Sequence, residues 1–444
     1  MRTFDLARPC EGPTRPARSF RPFRSTGAAA RAALAVVLLA ASAAASAVPS
    51  FARQTGQPCM SCHVGGFGPQ LTDFGIQFKL NGYTMTKGGD TPIPIAGMIM
   101  AGVTHTRASQ DPAALDGRTI TGSALKSNNN VTLDQVSLFY AGRIAEHLGI
   151  FSQLTYDGIA QHTSIDNVDI RAADTASFGD GHALLYGVSV NNNPGLSDPF
   201  NTLPAWAFPY IGSNVAPGPG AGTVLDEAFG QKATGVVGYA QLDGTWYAEL
   251  GTYRMQSVST QKFFGLGPDD RDPGALRSPL YARFAVRQTF GAQALNAGVV
   301  LFNTGYQPDR TQPDTAHFRD LAVDASWRLA MADDNLLTVL GNVTHEAQNG
   351  TPGLTEYNVT GSLYHASKWG FTAQRFGVNA PGMGSRGTRL QFDFTPYGAR
   401  DPVEWLPPNL RVGAQITAYE RLDGQRGAAA SNADSLYLFA WLAF

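Results

Sequence analysis

From about residue 95 to the end of the chain, apolar and polar side chains alternate with a period of two, and no helical period competes with it. In Thr388–Thr395, Thr388, Leu390, Phe392 and Phe394 fall on one face and Arg389, Gln391, Asp393 and Thr395 on the other. In Ala282–Phe290, Ala282, Phe284, Val286 and Phe290 oppose Arg283, Ala285, Arg287 and Thr289. In Arg411–Arg421, Val412, Ala414, Ile416 and Ala418 oppose Arg411, Gln415, Thr417 and Arg421. The pattern predicts sixteen strands, at 95–107, 131–144, 148–157, 166–173, 182–191, 234–243, 245–255, 280–290, 293–303, 317–329, 335–347, 355–366, 369–377, 387–396, 409–421 and 434–444. Their connections alternate for most of the chain. Short ones such as Asp243-Gly244, Gly291-Ala292, Met331–Asn335 and Ser367-Lys368 face long ones at 108–130, 192–233, 256–279 and 422–433.

A soluble sandwich would show the same alternation, so composition has to decide. Charged residues make up only 15% of the 444, Gly is frequent at 49, and no apolar run near twenty residues follows the first 47. The last segment places Leu436, Leu438, Ala440, Leu442 and the terminal Phe444 on one face, as in the assembly signal of outer-membrane barrels. Short turns at one end, long loops at the other and an even strand count complete the pattern of a transmembrane antiparallel β-barrel of about 16 strands, all-β in class, with both ends in the periplasm.

The front of the chain differs. Residues 1–47 read as a signal peptide, with seven arginines, an apolar stretch at Ala32–Ala41 and a small-residue cleavage site at Ala45-Ser46-Ala47. Removing it takes 7 of the 33 basic and 2 of the 35 acidic residues, leaving 26 against 33 and a net charge of −7, which argues against nucleic acid as a partner. Cys10 leaves with the signal, so only Cys59 and Cys62 of the three cysteines remain. They stand in Cys59-Met60-Ser61-Cys62-His63, the attachment motif of a c-type haem. Two thiols at this spacing match the two vinyl groups, and His63 is carried under the porphyrin to bind iron. Such attachment takes place outside the cytoplasmic membrane, in agreement with an exported chain. A short helix is predicted within Pro69–Leu80, with Leu71, Phe74 and Phe78 as its stripe and Asn81-Gly82 as its stop. That stripe is too small for a core, so the segment is expected to fold around its cofactor and against the barrel. Thr86–Pro94 reads as a linker. The domains are therefore a signal peptide over 1–47, a short helical monohaem cytochrome c segment with its linker over 48–94, and a porin-like barrel over 95–444.

One CxxCH directly ahead of a porin-like barrel resembles the fused cytochrome–porin family, the outer-membrane monohaem cytochromes of iron oxidation. Cys59–His63 and Phe74-Gly75-Ile76-Gln77-Phe78-Lys79-Leu80-Asn81-Gly82-Tyr83 carry the resemblance. It implies one covalent haem c, an outer-membrane location, and electron transfer across that membrane. A porin needs no haem to pass solutes, and a haem protein needs no barrel unless electrons must cross an insulating bilayer. Partners on this reading are membrane lipid, periplasmic carriers such as a soluble cytochrome, and an extracellular donor, with ferrous iron favoured. Two alternatives stand beside it: a channel in which the haem is structural or a gate, and outward transfer to an external acceptor. No nucleotide loop, hydrolase triad or second haem motif is visible, so an electron-transfer role is expected rather than that of a hydrolase or transferase.

The sixth iron ligand is open. Met98 and Met100 share a face with Thr104 and Thr106, the lumen side by parity, while Ile95, Ile99 and Val103 share the other. Met85 could fold back, His105 has lipid-side parity, and open coordination is a further option. Met ligation would raise the potential relative to two histidines. The other histidines are scattered without metal-ligand spacing. Asp269, Asp270 and Asp272, with Asp309 and Asp314 in the next outer loop, form an acidic group suited to hard cations or merely to solvent. Arg143, Arg283, Arg287, Arg389 and Arg411 could meet haem propionates or be balanced by Asp134, Glu249 and Asp393 as struts.

Overall fold

The computed structural model describes residues 49–89, 93–110, 126–268, 270–399 and 409–444. The predicted signal segment, Asp269 and part of the linker lie outside them. Sixteen long strands form the wall: β1 (Ile95–Thr106), β2 (Asn129–Ala145), β3 (Leu148–Asp157), β4 (His162–Phe178), β5 (His182–Asn191), β6 (Ala233–Leu242), β7 (Trp246–Met255) and β8 (Ala275–Phe290). The second half comprises β9 (Gln293–Gln307), β10 (Ala316–Ala330), β11 (Leu336–Gln348), β12 (Leu354–His365), β13 (Trp369–Asn379), β14 (Ser385–Phe394), β15 (Asn409–Leu422) and β16 (Ser435–Ala443). A two-residue ladder at Gln425–Arg426 decorates the last outer loop. Every neighbour is antiparallel, and β1 pairs with β16 from Met98↔Ala443 to Thr106↔Ser435, which closes the sheet. Closure leaves no unpaired edge, the condition for a sheet to stand in hydrocarbon.

Side-chain parity follows the alternation in the sequence. Leu390, Phe392, Ile416, Leu438 and Phe284 point outward and exposed, as lipid-facing residues of an outer-membrane-type barrel do. Gln391, Asp393, Arg411, Gln415 and Arg283 point inward and are buried. The two ends of the barrel meet where Gly97 and Phe444 exchange backbone hydrogen bonds, at 2.5 and 2.7 Å.

The inward residues are buried because the lumen is filled. The connection 192–232, expected as an outer loop, turns inward and crosses it. Leu196, Phe200, Leu203, Phe208, Ile211, Val215 and Leu225 on this connection are all buried. Its carbonyls accept from inward side chains around the wall: Thr202 from Asn342, Phe208 from Gln374 and Ile211 from Gln415. Period-two patterning marks strands only, so nothing in it distinguished a loop lying inside from one lying outside.

The N-terminal segment also lies in the lumen. It contains α1 (Pro49–Thr55), α2 (Cys59–Cys62) and α3 (Asp73–Leu80). α3 starts later than the pattern suggested, because the Thr72 side chain caps it by accepting from Gly75 N. Leu71 precedes the helix, and Ile76 and Leu80 fill the apolar contact with Phe200, Tyr239 and Tyr247. Of the expected stripe, Phe78 is buried and Leu71 packs against this same cluster, while Ile76 and Leu80 add a second buried face because the helix lies inside a filled lumen.

Candidate functional site

The attachment motif is built by local turns. α2 is a single turn, so Cys59 and Cys62 stand three residues apart on one side. His63 leaves the helix in extended conformation and bridges to Leu71, while Thr72 N donates to Cys62 O at 2.9 Å. These contacts close a loop over Val64–Gln70. Gly66 has φ +73°, and a Cβ there would lie 2.9 Å from the Gly398 Cα. The long turn after β14 approaches at that point, with Met60 N donating to Gly398 O at 3.0 Å.

Barrel and loop hold this segment from all sides. Arg287 meets Asp73 at 2.8 Å and Arg328 joins the same carboxylate. Asn409 donates to Gly66 O, Tyr239 to Leu80 O at 2.8 Å, and Tyr83 to Asp169 at 2.6 Å. Gln54 donates to the carbonyls of Tyr83 and Met85 and accepts from Arg143 N.

Between segment, wall and loop lies a cavity of about 310 Å³. Cys59, Cys62 and His63 line it, with Phe51, Phe67, Phe78 and Tyr83 from the same segment. The wall adds Met98, Met100, Phe139, Phe151 and Trp441, and the crossing loop adds Trp206, Pro209 and Tyr210. The structure thus brings five of the candidate residues to one space: both cysteines, His63 and both methionines. Phe67 and Trp441 meet edge to face at 4.7 Å between ring centres. The inward aromatics of the last strand, Tyr437, Phe439 and Trp441, join this apolar cluster.

The site's electrostatics follow from burial. Burial pulls the His63 ring down to about 4, with the Gly68 backbone acting against it, so the imidazole is neutral near pH 7. Its Nδ1 is buried and lacks a hydrogen-bond partner. Burial, with Cys59 beside it, pushes the Cys62 thiol up to about 12. Lys79 is a lining residue that the sequence reading did not single out. Its Nζ donates to Leu196 O, Asp198 O and Asn201 Oδ1 at 3.0, 2.7 and 2.9 Å, and lies 4.5 Å from the Trp206 ring centre. Burial, with Arg171 adding to it, brings this ammonium down to about 7. One cation in the otherwise uncharged stretch Phe74 to Leu80 was the available signal.

The residues present fit a covalently held haem. Two thiols on one turn, a neutral imidazole with an orphaned ring nitrogen, two thioethers and aromatic walls are the donor set and lining such a group uses. None of the five arginines lines the cavity. Arg411 pairs with Asp393 at 2.8 Å, Arg283 with Asp324 at 2.8 Å, and Arg389 donates to Gln374 and Thr417. Arg143 Nε donates to Ala145 O. They are struts, though Asp134 and Glu249 serve tyrosines instead, at Tyr437 for the first and Tyr247 and Tyr281 for the second. Met85 lies off the cavity lining, and His105 sits exposed on the lipid side beside Asn129. In the acidic outer loops, Asp272 accepts from Tyr306 and Asp309 caps Thr311. Among the described residues no group of three or more His, Cys, Asp or Glu side chains is placed to hold a metal ion.

No known protein-family pattern matches the chain, and no curated protein is significantly similar to it. Solved structures of porins match its barrel. OmpT of Vibrio cholerae is 11% identical over 79% of this chain and 97% of its own, with a TM-score of 0.41. An anion-selective porin from Comamonas acidovorans is 11% identical over 79% and 98%, with a TM-score of 0.43. Salmonella typhi OmpF is 10% identical over 79% and 97%, with a TM-score of 0.40. At such values the likeness carries no argument beyond itself, and the sixteen-stranded closed barrel stands on its own strand order.

Proposed function

We propose that this protein holds one haem c in the lumen, attached through Cys59 and Cys62 with His63 on the iron, and passes single electrons across the outer membrane. The observation that carries this reading is the convergence of Cys59, Cys62, His63, Met98 and Met100 on one aromatic-walled cavity inside the barrel. The bound group supplies one-electron exchange. The chain's own part is to place it: α2 presents both thiols, burial keeps His63 neutral, and Met98 or Met100 is offered as the sixth ligand. Phe67, Trp206 and Trp441 exclude water. Extracellular ferrous iron is the favoured donor and a soluble periplasmic cytochrome the acceptor, with the segment 49–89 toward the short-turn end of the barrel.

The test has two stages. The protein is made with a c-type maturation system and stained for haem on a denaturing gel. Stain is expected in the wild type and lost in Cys59→Ser with Cys62→Ser; haem that washes off overturns the covalent site. The purified protein is then set in liposomes with ferrous iron outside and an acceptor inside. Haem reduction followed by internal reduction supports transfer. The channel reading, favoured by the barrel itself, wins if the haem stays oxidised while small solutes leak. Reduction of an external acceptor by internally loaded reductant would instead establish outward flow.

A further inference from the structure

Three successive residues of the crossing loop each give their backbone amide to a different acid. Thr223 N donates to Glu356 at 3.3 Å, Val224 N to Glu346 at 2.6 Å, and Leu225 N to Asp320 at 2.7 Å. The acids face inward from the neighbouring strands β12, β11 and β10, close to the long-loop end of each. Asp226, next along the turn, is in contact with Glu356, and Asp320 with Glu346. Asp320 and Glu346 are directly opposite in the ladder, where Cβ atoms stand about 5 Å apart and like charges repel. No ion pair among the described residues reaches any of the four.

Anchoring the loop accounts for one oxygen of each strand acid and no more. Asp320 is 0% exposed, and its Oδ1 finds no donor among the described residues, the carboxyl having the Glu346 carboxylate beside it. Thr344 is 1% exposed and its Oγ1 is also without a partner. It faces inward on β11, directly opposite Glu356 and two positions from Glu346. Two independent buried oxygens are therefore unsatisfied beside carboxylates that no cationic side chain balances. Leaving such groups unpaired is costly in a buried setting.

We propose that the Asp320–Glu346 pair binds a hard divalent cation at the outer end of the lumen, with the Thr344 hydroxyl as a neighbouring oxygen donor. The donors are all oxygen, which selects ions of the calcium, magnesium, manganese and ferrous class over soft metals. The acids stand as two pairs, not a closed cage, so water completes the coordination. The site is distinct from the haem cavity and does not rest on the haem reading.

Mn2+ is the probe, added to the purified full chain in detergent at pH 7 and followed by the loss of its free electron-paramagnetic signal. Saturable binding of one ion per chain, displaced by Ca2+, is expected. Asp320→Asn with Glu346→Gln should weaken it about tenfold or more, because the carbonyl oxygens still accept the loop amides while the charges are gone. Glu346→Gln alone should weaken it less. Asp272→Asn, on the surface, should leave it unchanged. Mobility of the unheated barrel on a denaturing gel verifies that each variant is folded, and Thr344→Val, which keeps every carboxylate, supplies a second variant with an expected smaller loss. Equal binding by wild type and double variant, or no saturable binding, overturns the proposal. So does a protonated-carboxyl infrared band that persists at saturating Mn2+, because the pair would then be held by a shared proton.

Discussion

The Arg287 guanidinium meets the Asp73 carboxylate at 2.8 Å, tying the lumen face of β8 to the first turn of α3. Arg328 on β10 reaches the same carboxylate. Burial alone would raise the Asp73 pKa, but Arg328 and Arg287 together hold it below the usual carboxylate range. The helix that follows the attachment motif is thereby fixed to two strands of the barrel.

Asp73→Asn should loosen the segment. Asp73 is 39% exposed, so water screens the pair and the loss is about 1 kcal/mol, well short of a fully buried one. Limited proteolysis within 49–89 should speed up several-fold while the barrel stays intact. Because the folded carboxyl titrates lower than the unfolded one, the contribution is present above about pH 4 and lost as pH falls further. Wild type and variant should therefore converge in strongly acid solution; a constant difference down to pH 2 would exclude the ion pair as its source.

Gly75→Ala should impair the attachment site. A Cβ there would lie 2.3 Å from the Cys62 carbonyl oxygen, a backbone atom that cannot swing away. Overpacking of this kind costs about 1–3 kcal/mol. Haem staining per mole of barrel should fall, whereas Gly361→Ala, with nothing within 4 Å, should leave it unchanged. Equal yields would show that α3 can shift without disturbing Cys62.

Met98→Leu and Met100→Leu separate the two sulfur candidates. Both side chains are buried and line the cavity at alternate positions of β1. Only the ligating residue's substitution should abolish the far-red sulfur-to-iron charge-transfer band and lower the midpoint potential. If neither does, the sixth position is open or held elsewhere.

Acid should weaken the segment when the haem is withheld. The unfolded chain protonates His63 near pH 6.5 and the folded one only near 4. The neutral ring's contribution is therefore complete above 6.5 and lost as pH falls through 4, on the order of 3 kcal/mol. Tryptophan fluorescence from Trp206 and Trp441 against pH, compared with His63→Phe, measures it. An identical acid profile in the two proteins would assign the loss to another group.

Removing residues 204–222 of the crossing loop should raise single-channel conductance in planar bilayers. That stretch supplies the lumen contacts of Phe208, Ile211 and Ser213 to Gln374, Gln415 and Thr104. A wild type that already conducts as well as the deletion would favour the channel reading.

The strands were legible because period-two alternation is a local property. Thr388–Thr395 and Arg411–Arg421 declare their two faces without reference to any neighbour, and all sixteen segments lie where that alternation runs. The parity of Met98 and Met100 was legible for the same reason, since a strand fixes alternate side chains to one side. The spacing of Cys59, Cys62 and His63 depends only on one helical turn. Tertiary structure alone decided the rest. Whether 192–232 lies over the mouth or across the lumen depends on what it meets there, and its partners, such as Asp324, Asn342 and Gln415, are remote in the chain. The same holds for Lys79, whose three oxygen partners come from the loop, and for Asp320 and Glu346, which are brought together by strand register. Hydrophobic period reports which face a residue is on, while the identity of the group opposite it is set by closure of the barrel and by what fills it.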